Sequence, residues 1–360
     1  MKDILAWHAR THPSIQPQDV IKLCYQAVFG AEHLLTDGRK ARAYFDREWD
    51  SVAPIDIPLY EIISTQYVRV NLKAWKHAGL PREWLFRMFF LTASNSAEAG
   101  CADLQRAFDF VDETAAEQPL PFSQQEWRAA RLAYEQQGGG AVHHSEGYRT
   151  AEHPAYRVID RHYITLIPIL KKLADMPTAQ ETAIVIAIDG RAASGKTTLA
   201  GQLADILGAG TVHMDDFFLP PELRTPARLA EAGGNVHYER FAEQVLPHLR
   251  HNGSFTYPAF NCSKMCLDGE IAVSAGPYRV VEGSYSHHPE LDNYMDLRVF
   301  CHVSPQEQMR RILIRNGEQM AKMFAERWIP MEEHYFDTYA VRAHADIQIT
   351  TESNQQGETK

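Results

Sequence analysis

The sequence predicts a mostly α-helical domain over residues 1–178, then an α/β domain over 179–352 whose parallel sheet is flanked by helices, and a polar tail at 353–360. Three observations predict this division. The first half repeats apolar residues at helical spacing. The second half alternates short β-branched runs with amphipathic stretches. Between them, Asp175-Met176-Pro177-Thr178 joins a helix stop to a proline. With 360 residues, 45% hydrophobic and 23% charged, each half can bury its own core.

In the first half, Val20, Cys24, Ala27, Val28, Ala31, Leu34 and Leu35 mark a helix over 17–35. Pro17 suits its first turn, and Asp37-Gly38 ends the pattern. Residues 83–92, after Gly79-Leu80-Pro81, are dense in apolar side chains and read as a buried helix. Helices are expected over 102–116 and 123–137, the second opened by Ser123 and Glu126 at capping-box spacing. Gly138-Gly139-Gly140 breaks the chain, 143–153 reads as polar loop, and 155–174 returns to helical spacing.

In the second half, 184–188 is a continuous β-branched-rich run, as expected of a strand covered on both faces. Leu199, Leu203, Ile206 and Leu207 mark a helix that Gly208 ends. Strands are expected at 211–214, 278–281, 297–303 and 345–349. Ser304-Pro305-Gln306-Glu307 combines an N-cap serine, a first-turn proline and a capping-box glutamate.

Gly190-Arg191-Ala192-Ala193-Ser194-Gly195-Lys196-Thr197 fits the pattern G-x-x-x-x-G-K-[ST] in full, with a strand before it and a helix after it. This is the P-loop, which makes the second half an α/β P-loop NTPase domain. Glycines let main-chain amides wrap round phosphate oxygens, and the helix adds its positive end. Gly190, Ala193, Ser194, Gly195, Lys196, Thr197 and Thr198 are the expected nucleotide contacts. Lys196 reaches the β- and γ-phosphates, and Thr197 offers its hydroxyl to Mg²⁺.

His213-Met214-Asp215-Asp216-Phe217-Phe218 ends the second strand of this sheet, where ligands bind in open α/β folds. Asp215 there is placed to accept a proton from an attacking hydroxyl. Glu282, ending Val280-Val281-Glu282-Gly283, is a second metal ligand candidate. Arg310, Arg311 and Arg315 lie on the helix after Ser304, with Arg311 and Arg315 on one face. Cations brought over the phosphates stabilise transition-state charge; Arg327 is a further candidate.

These four segments together resemble the uridine kinase/phosphoribulokinase group of P-loop kinases, which includes pantothenate and nicotinamide riboside kinases. Asp-Asp-Phe-Phe at 215–218 is most similar to the nicotinamide riboside kinase version. The resemblance implies an ATP- and Mg²⁺-dependent kinase acting on a small-molecule hydroxyl, nucleoside-, vitamin- or sugar-like. It implies Asp215 as base and substrate contact, Glu282 in the metal and substrate shell, and the arginine helix as lid, with Lys196, Arg311 and Arg315 in the catalytic set. Pro258-Ala259-Phe260-Asn261 stands where uridine kinases carry Pro-x-Tyr-Asp, and the pyrimidine-reading histidine has no counterpart. The acceptor pocket is expected within 217–264, from Phe217, Tyr238, Arg240, Tyr257 and Phe260.

The net charge is −10. Residues 1–180 hold 20 basic and 22 acidic side chains, and the remainder 16 and 24, so neither half has the basic excess of a general nucleic-acid binder. No run of 18 apolar residues suggests a membrane span. The first ten residues lack the pattern of a signal peptide, so the expected location is the cytoplasm. Five scattered cysteines suggest reduced thiols rather than disulfides, and Cys262 and Cys266 lack the partners of a zinc site.

Kinases of this group do not usually carry such a helical half. Glu32, His33, His143, His144, His153 and His162 lack the spacing of a metal motif such as H-E-x-x-H. Residues 84–90 read as core or interdomain packing. The helical half is expected to pack near the active site or to mediate a homodimer. The competing reading is a nucleotide-dependent regulatory ATPase or switch with the helical half as output.

Overall fold

The computed structural model describes residues 2–31, 37–95, 100–117, 119–177 and 179–352. Glu32, His33, Leu34, Leu35, Thr178 and the tail at 353–360 lie outside the described residues. The chain divides into two compact units, Met1–Ala174 and Asp175–Lys360.

The first unit is mostly helical: α1 (Lys2–Thr11), α2 (Pro17–Phe29), α3 (Gly38–Ser51), α4 (Leu72–His77), α5 (Arg82–Ser94), α6 (Cys101–Glu117), α7 (Gln124–Gln136), α8 (Glu146–Glu152) and α9 (Ile167–Ala174). The expected capping box of α7 forms, with Ser123 and Glu126 each bonding the other's main-chain amide. The unit also holds an antiparallel sheet, in the order β1 (Tyr60–Ile62), β2 (Tyr67–Asn71), β3 (Tyr156–Asp160), which the sequence reading does not contain. Asp37 does not end a helix; its carboxylate accepts the amides of Arg39 and Lys40 and starts α3. Residues 143–153 are not all loop, because Ser145 accepts the Tyr148 amide and starts α8. Residues 155–174 are not one helix. Their first part pairs with β2 as β3, and Asp160 then caps a 3-10 turn by accepting the His162 amide.

The second unit holds β4 (Ile184–Gly190), α10 (Lys196–Leu207), β5 (Gly210–His213), α11 (Pro226–Ala230), α12 (Tyr238–Gln244), α13 (Leu246–Leu249), β6 (Phe255–Asn261), β7 (Cys266–Val273), β8 (Tyr278–Glu282), β9 (Leu297–His302), α14 (Pro305–Met323), α15 (Ile329–Thr338) and β10 (Ile347–Thr350). Its five-stranded sheet is parallel throughout, in the order β10-β9-β4-β8-β5. All seven residues of the central β4 are buried, which explains its unbroken apolar run. The hairpin β6–β7 lies outside this sheet and was not anticipated. Among the described residues, no helix is long and apolar enough to cross a membrane.

Gly190 ends β4 with φ at +138°. A Cβ there would lie 2.0 Å from the Cys301 carbonyl oxygen of the paired strand β9. Gly190→Ala is expected to destabilise the second unit by roughly 2–4 kcal/mol through strain and overlap. Urea unfolding of the full chain checks this, and a parent-like transition would contradict it.

Candidate functional site

The strand register brings the carboxyl ends of β4, β8 and β5 together, with Ile188 beside Glu282 and Glu282 beside His213. The loop leaving β4 is anchored from beneath by Asp189, which is fully buried. Its carboxylate accepts the amides of Gly190 (2.7 Å), Tyr285 (3.2 Å) and His287 (3.0 Å), and the Tyr335 hydroxyl (2.9 Å). Ala193 (φ +57°) and Gly195 (φ +87°) take left-handed conformations, which turn the loop before α10. The first amides of α10 have no partner within the helix and present a positive end. Ser194 Oγ is buried in the loop with no hydrogen-bond partner among the described residues. Lys196 Nζ reaches back over the loop to the carbonyls of Gly190 (2.7 Å) and Arg191 (2.9 Å).

Oxygen donors converge beside this loop. Thr197 Oγ1 lies 3.4 and 3.3 Å from the two Glu282 carboxylate oxygens. His213 Nδ1 lies 2.6 Å from Glu282 Oε1 and fixes that carboxylate. Hydroxyl and carboxylate oxygens at this spacing suit a hard divalent cation that keeps several waters. The two aspartates have different surroundings. Asp216 accepts the Tyr257 hydroxyl at 2.8 Å, and its carbonyl accepts Arg240. Asp215 lines the same cleft of about 700 Å³ as Lys196, Thr197 and Glu282. Burial pushes the Asp215 carboxyl above the usual range; Lys196 opposes this, and Glu282 and Asp216 add to it.

The second unit is a parallel sheet flanked by helices with the P-loop pattern between β4 and α10, which is the architecture of a P-loop NTPase fold. No protein-family model matches the chain, and no curated protein matches it. Many solved structures are similar to it. A possible uridine kinase from Bacillus stearothermophilus is 22% identical over 52% of this chain and 98% of its own, with a TM-score of 0.41. A putative fructose transport system kinase from Silicibacter sp. is 22% identical over 51% and 98%, with a TM-score of 0.40. D-glycerate 3-kinase from Cryptococcus neoformans is 14% identical over 49% and 88%, with a TM-score of 0.36.

The cleft is lined by Ala193, Ser194, Gly195, Lys196, Thr197 and Thr198 of the loop, by Asp215 and Glu282, and by Arg311 and Arg315. Gly190 sits behind it against β9. The two arginines differ. Arg311 bonds Ala193 O (3.1 Å), Thr351 Oγ1 (3.0 Å) and Glu307 (2.8 Å), so it braces the loop from behind. Arg315 stands just before a break in α14, where Gly317 has φ +76°. Beyond the break, Met320, Phe324, Arg327 and Trp328 also line the cleft. Arg310 pairs with Glu307 and is half-exposed.

The expected acceptor residues do not line the cleft, and this is a correction. Phe217 is fully buried, edge-on to Phe241, with the Arg240 guanidinium 4.1 Å over its ring. Tyr257 and Phe260 are buried too. Arg240 directs its donors to Pro258 O (2.6 Å), Asp216 O and Gln244. Tyr238 stacks on His288 at 5.0 Å and bonds Arg228. Away from the loop, the cleft is lined instead by Phe218, Arg224, Leu229, Asn235, Cys262 and Met265. Asn235 Oδ1 is buried there with no partner among the described residues.

Two further residues escaped sequence reasoning. Glu332 on α15 is deeply buried, accepts the Ala192 amide (2.9 Å) and the Ser284 hydroxyl (2.7 Å), and burial raises its pKa. No sequence signal marks it. His213 had one: it opens the segment that ends at Phe218, and a parallel sheet sets it beside Glu282. Of the histidines considered for metal, His144 bonds Asp19 (2.8 Å) and Tyr156 (2.6 Å), and His162 pairs with Asp160.

Proposed function

We propose that this protein is an ATP-dependent phosphotransferase that moves the γ-phosphate to a hydroxyl of a small molecule, in the cytoplasm. The observation that carries this reading is the split of the aspartate pair. Asp216 is tied to Tyr257 and Arg240, while Asp215 is buried in the cleft that Lys196 and the Thr197–Glu282 pair also line. The acceptor oxygen attacks the γ-phosphorus, its proton passes to Asp215, and the bond from the γ-phosphorus to the bridging oxygen breaks, releasing ADP. Lys196 holds the β- and γ-oxygens, and Arg315 and Arg327 add positive charge from the cleft wall. Thr197 and Glu282 fit Mg²⁺, which when bound neutralises charge on the phosphates.

The acceptor lies against Phe218, Asn235 and Arg224. It is nucleoside-, vitamin- or sugar-like, with polar groups for Asn235 Oδ1 to read. Arg224 favours an acceptor that also carries negative charge. Incubating the full chain with γ-labelled ATP and a metabolite extract tests the reading. A labelled organic product is expected; release of labelled inorganic phosphate alone would favour a regulatory ATPase and sink the proposal. Once the acceptor is known, Arg224→Ala is expected to raise its KM by about 10- to 100-fold, the worth of one charged hydrogen bond, with the KM for ATP unchanged. Glu282→Gln is expected to raise the Mg²⁺ concentration for half-maximal rate by about tenfold or more, read from rates at fixed ATP.

A further inference from the structure

The first unit carries a side-chain cluster that phosphoryl transfer does not use. His8 lies on α1 and His12 one residue past its end, and the His12 amide bonds the His8 carbonyl (2.8 Å), so the two side chains share a face. Their rings stack with centroids 5.8 Å apart. Glu61 of β1 faces both: His12 Nε2 lies 3.1 Å from Glu61 Oε1, and His8 Nδ1 lies 3.9 Å from Glu61 Oε2. One ligand-type atom from each residue falls within 4.8 Å of the others.

The surroundings prepare both imidazoles. His8 Nε2 lies 3.1 Å from the Ile62 carbonyl. A carbonyl only accepts, so Nε2 carries the hydrogen and Nδ1 turns a lone pair toward Glu61. His8 is fully buried, and its Nδ1 has no hydrogen-bond partner among the described residues. A buried acceptor left without a partner is costly unless something meets it. His12 Nδ1 lies 3.3 Å from Glu152 Oε2, and the other Glu152 oxygen takes a 2.5 Å bond from the Ser14 hydroxyl. A carbonyl behind one histidine and a carboxylate behind the other is how proteins orient metal-binding imidazoles.

We propose that His8 Nδ1, His12 Nε2 and a Glu61 carboxylate oxygen form a binding site for a divalent transition metal, with Zn²⁺ the best-matched ion. Two imidazoles and a carboxylate are a zinc donor set, and three protein ligands leave a coordination position for water or a small ligand. Bonds of about 2.0–2.2 Å require the three atoms to draw closer together. His12 and Glu61, 12% and 19% exposed, can supply that movement while His8 stays fixed. Glu152 and the Ile62 carbonyl are positioning groups rather than ligands.

The test uses the full chain, stripped with chelator and titrated with Co²⁺, then with Zn²⁺. A visible cobalt spectrum saturating at about one equivalent and displaced by zinc is expected. His12→Gln and Glu61→Gln are expected to weaken cobalt binding by about 100-fold or more, and Glu152→Gln by about 10- to 100-fold, with far-ultraviolet circular dichroism unchanged. A parent chain that binds neither ion overturns the proposal. Unchanged affinity in both ligand variants overturns it equally. Should a variant unfold, the parent titration and Glu152→Gln still decide the matter.

Discussion

Lys196→Ala is expected to lower kcat/KM for ATP by about 10³-fold and to weaken Mg²⁺–ATP binding by about 10- to 100-fold. The ammonium group is largely buried and already bridges two loop carbonyls, so its position is set before any phosphate arrives. Removing it deletes the one lysine lining the cleft among the described residues. Charge that develops on the γ-phosphoryl oxygens then lacks its nearest fixed counter-charge, and the loss falls more on the transition state than on binding. Calorimetric titration and product labelling measure the two effects separately. Equal ATP affinity in variant and parent would contradict the whole account of this loop.

Asp215→Asn is expected to cut kcat by about 10²- to 10⁴-fold while ATP affinity changes little. The amide keeps the size of the carboxyl and loses its ability to take a proton. The pH profile supplies an independent reading. Burial raises the Asp215 pKa, so the protonated, inactive form persists above the usual aspartate range. Activity should therefore fall as pH drops through that raised value, and this acid limb should vanish in Asp215→Asn. Asp216→Asn should behave differently. It disturbs the bond from Tyr257, and should lower stability more than it changes the pH profile.

How far the sequence was legible follows from how local each signal is. The β4–loop–α10 segment was readable because consecutive residues carry all of it: a buried β-branched run, glycines at fixed offsets and an amphipathic helix. The expected strands at 211–214, 278–281, 297–303 and 345–349 all form, with ends shifted by one or two residues. The sheet of the first unit was not readable, because β2 and β3 pair across more than 80 residues of chain. Tyr156-Arg157-Val158-Ile159-Asp160 runs straight into a helix, and the helical periodicity beyond it masked the strand. The acceptor wall failed for a finer reason. Met214–Phe217 form a single 3-10 turn, so Phe217 faces the core while Phe218 faces the cleft. No composition or spacing rule distinguishes two adjacent phenylalanines. Glu332 is legible only in three dimensions, since its partner Ala192 lies far away in sequence.

The break at Gly317 divides the arginine helix into two halves. Arg311, on the near half, is fastened to the loop and to Thr351, so that half moves with the sheet. A Cβ at Gly317 would meet nothing within 4 Å, so the turn itself is open to solvent on that side. Beyond it, Ala321 of the far half and Phe324 pack with Ile312 of the near half and with Ala192 and Ala193 of the loop, so the turn that carries Arg327 and Trp328 is referenced to the same loop that Arg311 grips.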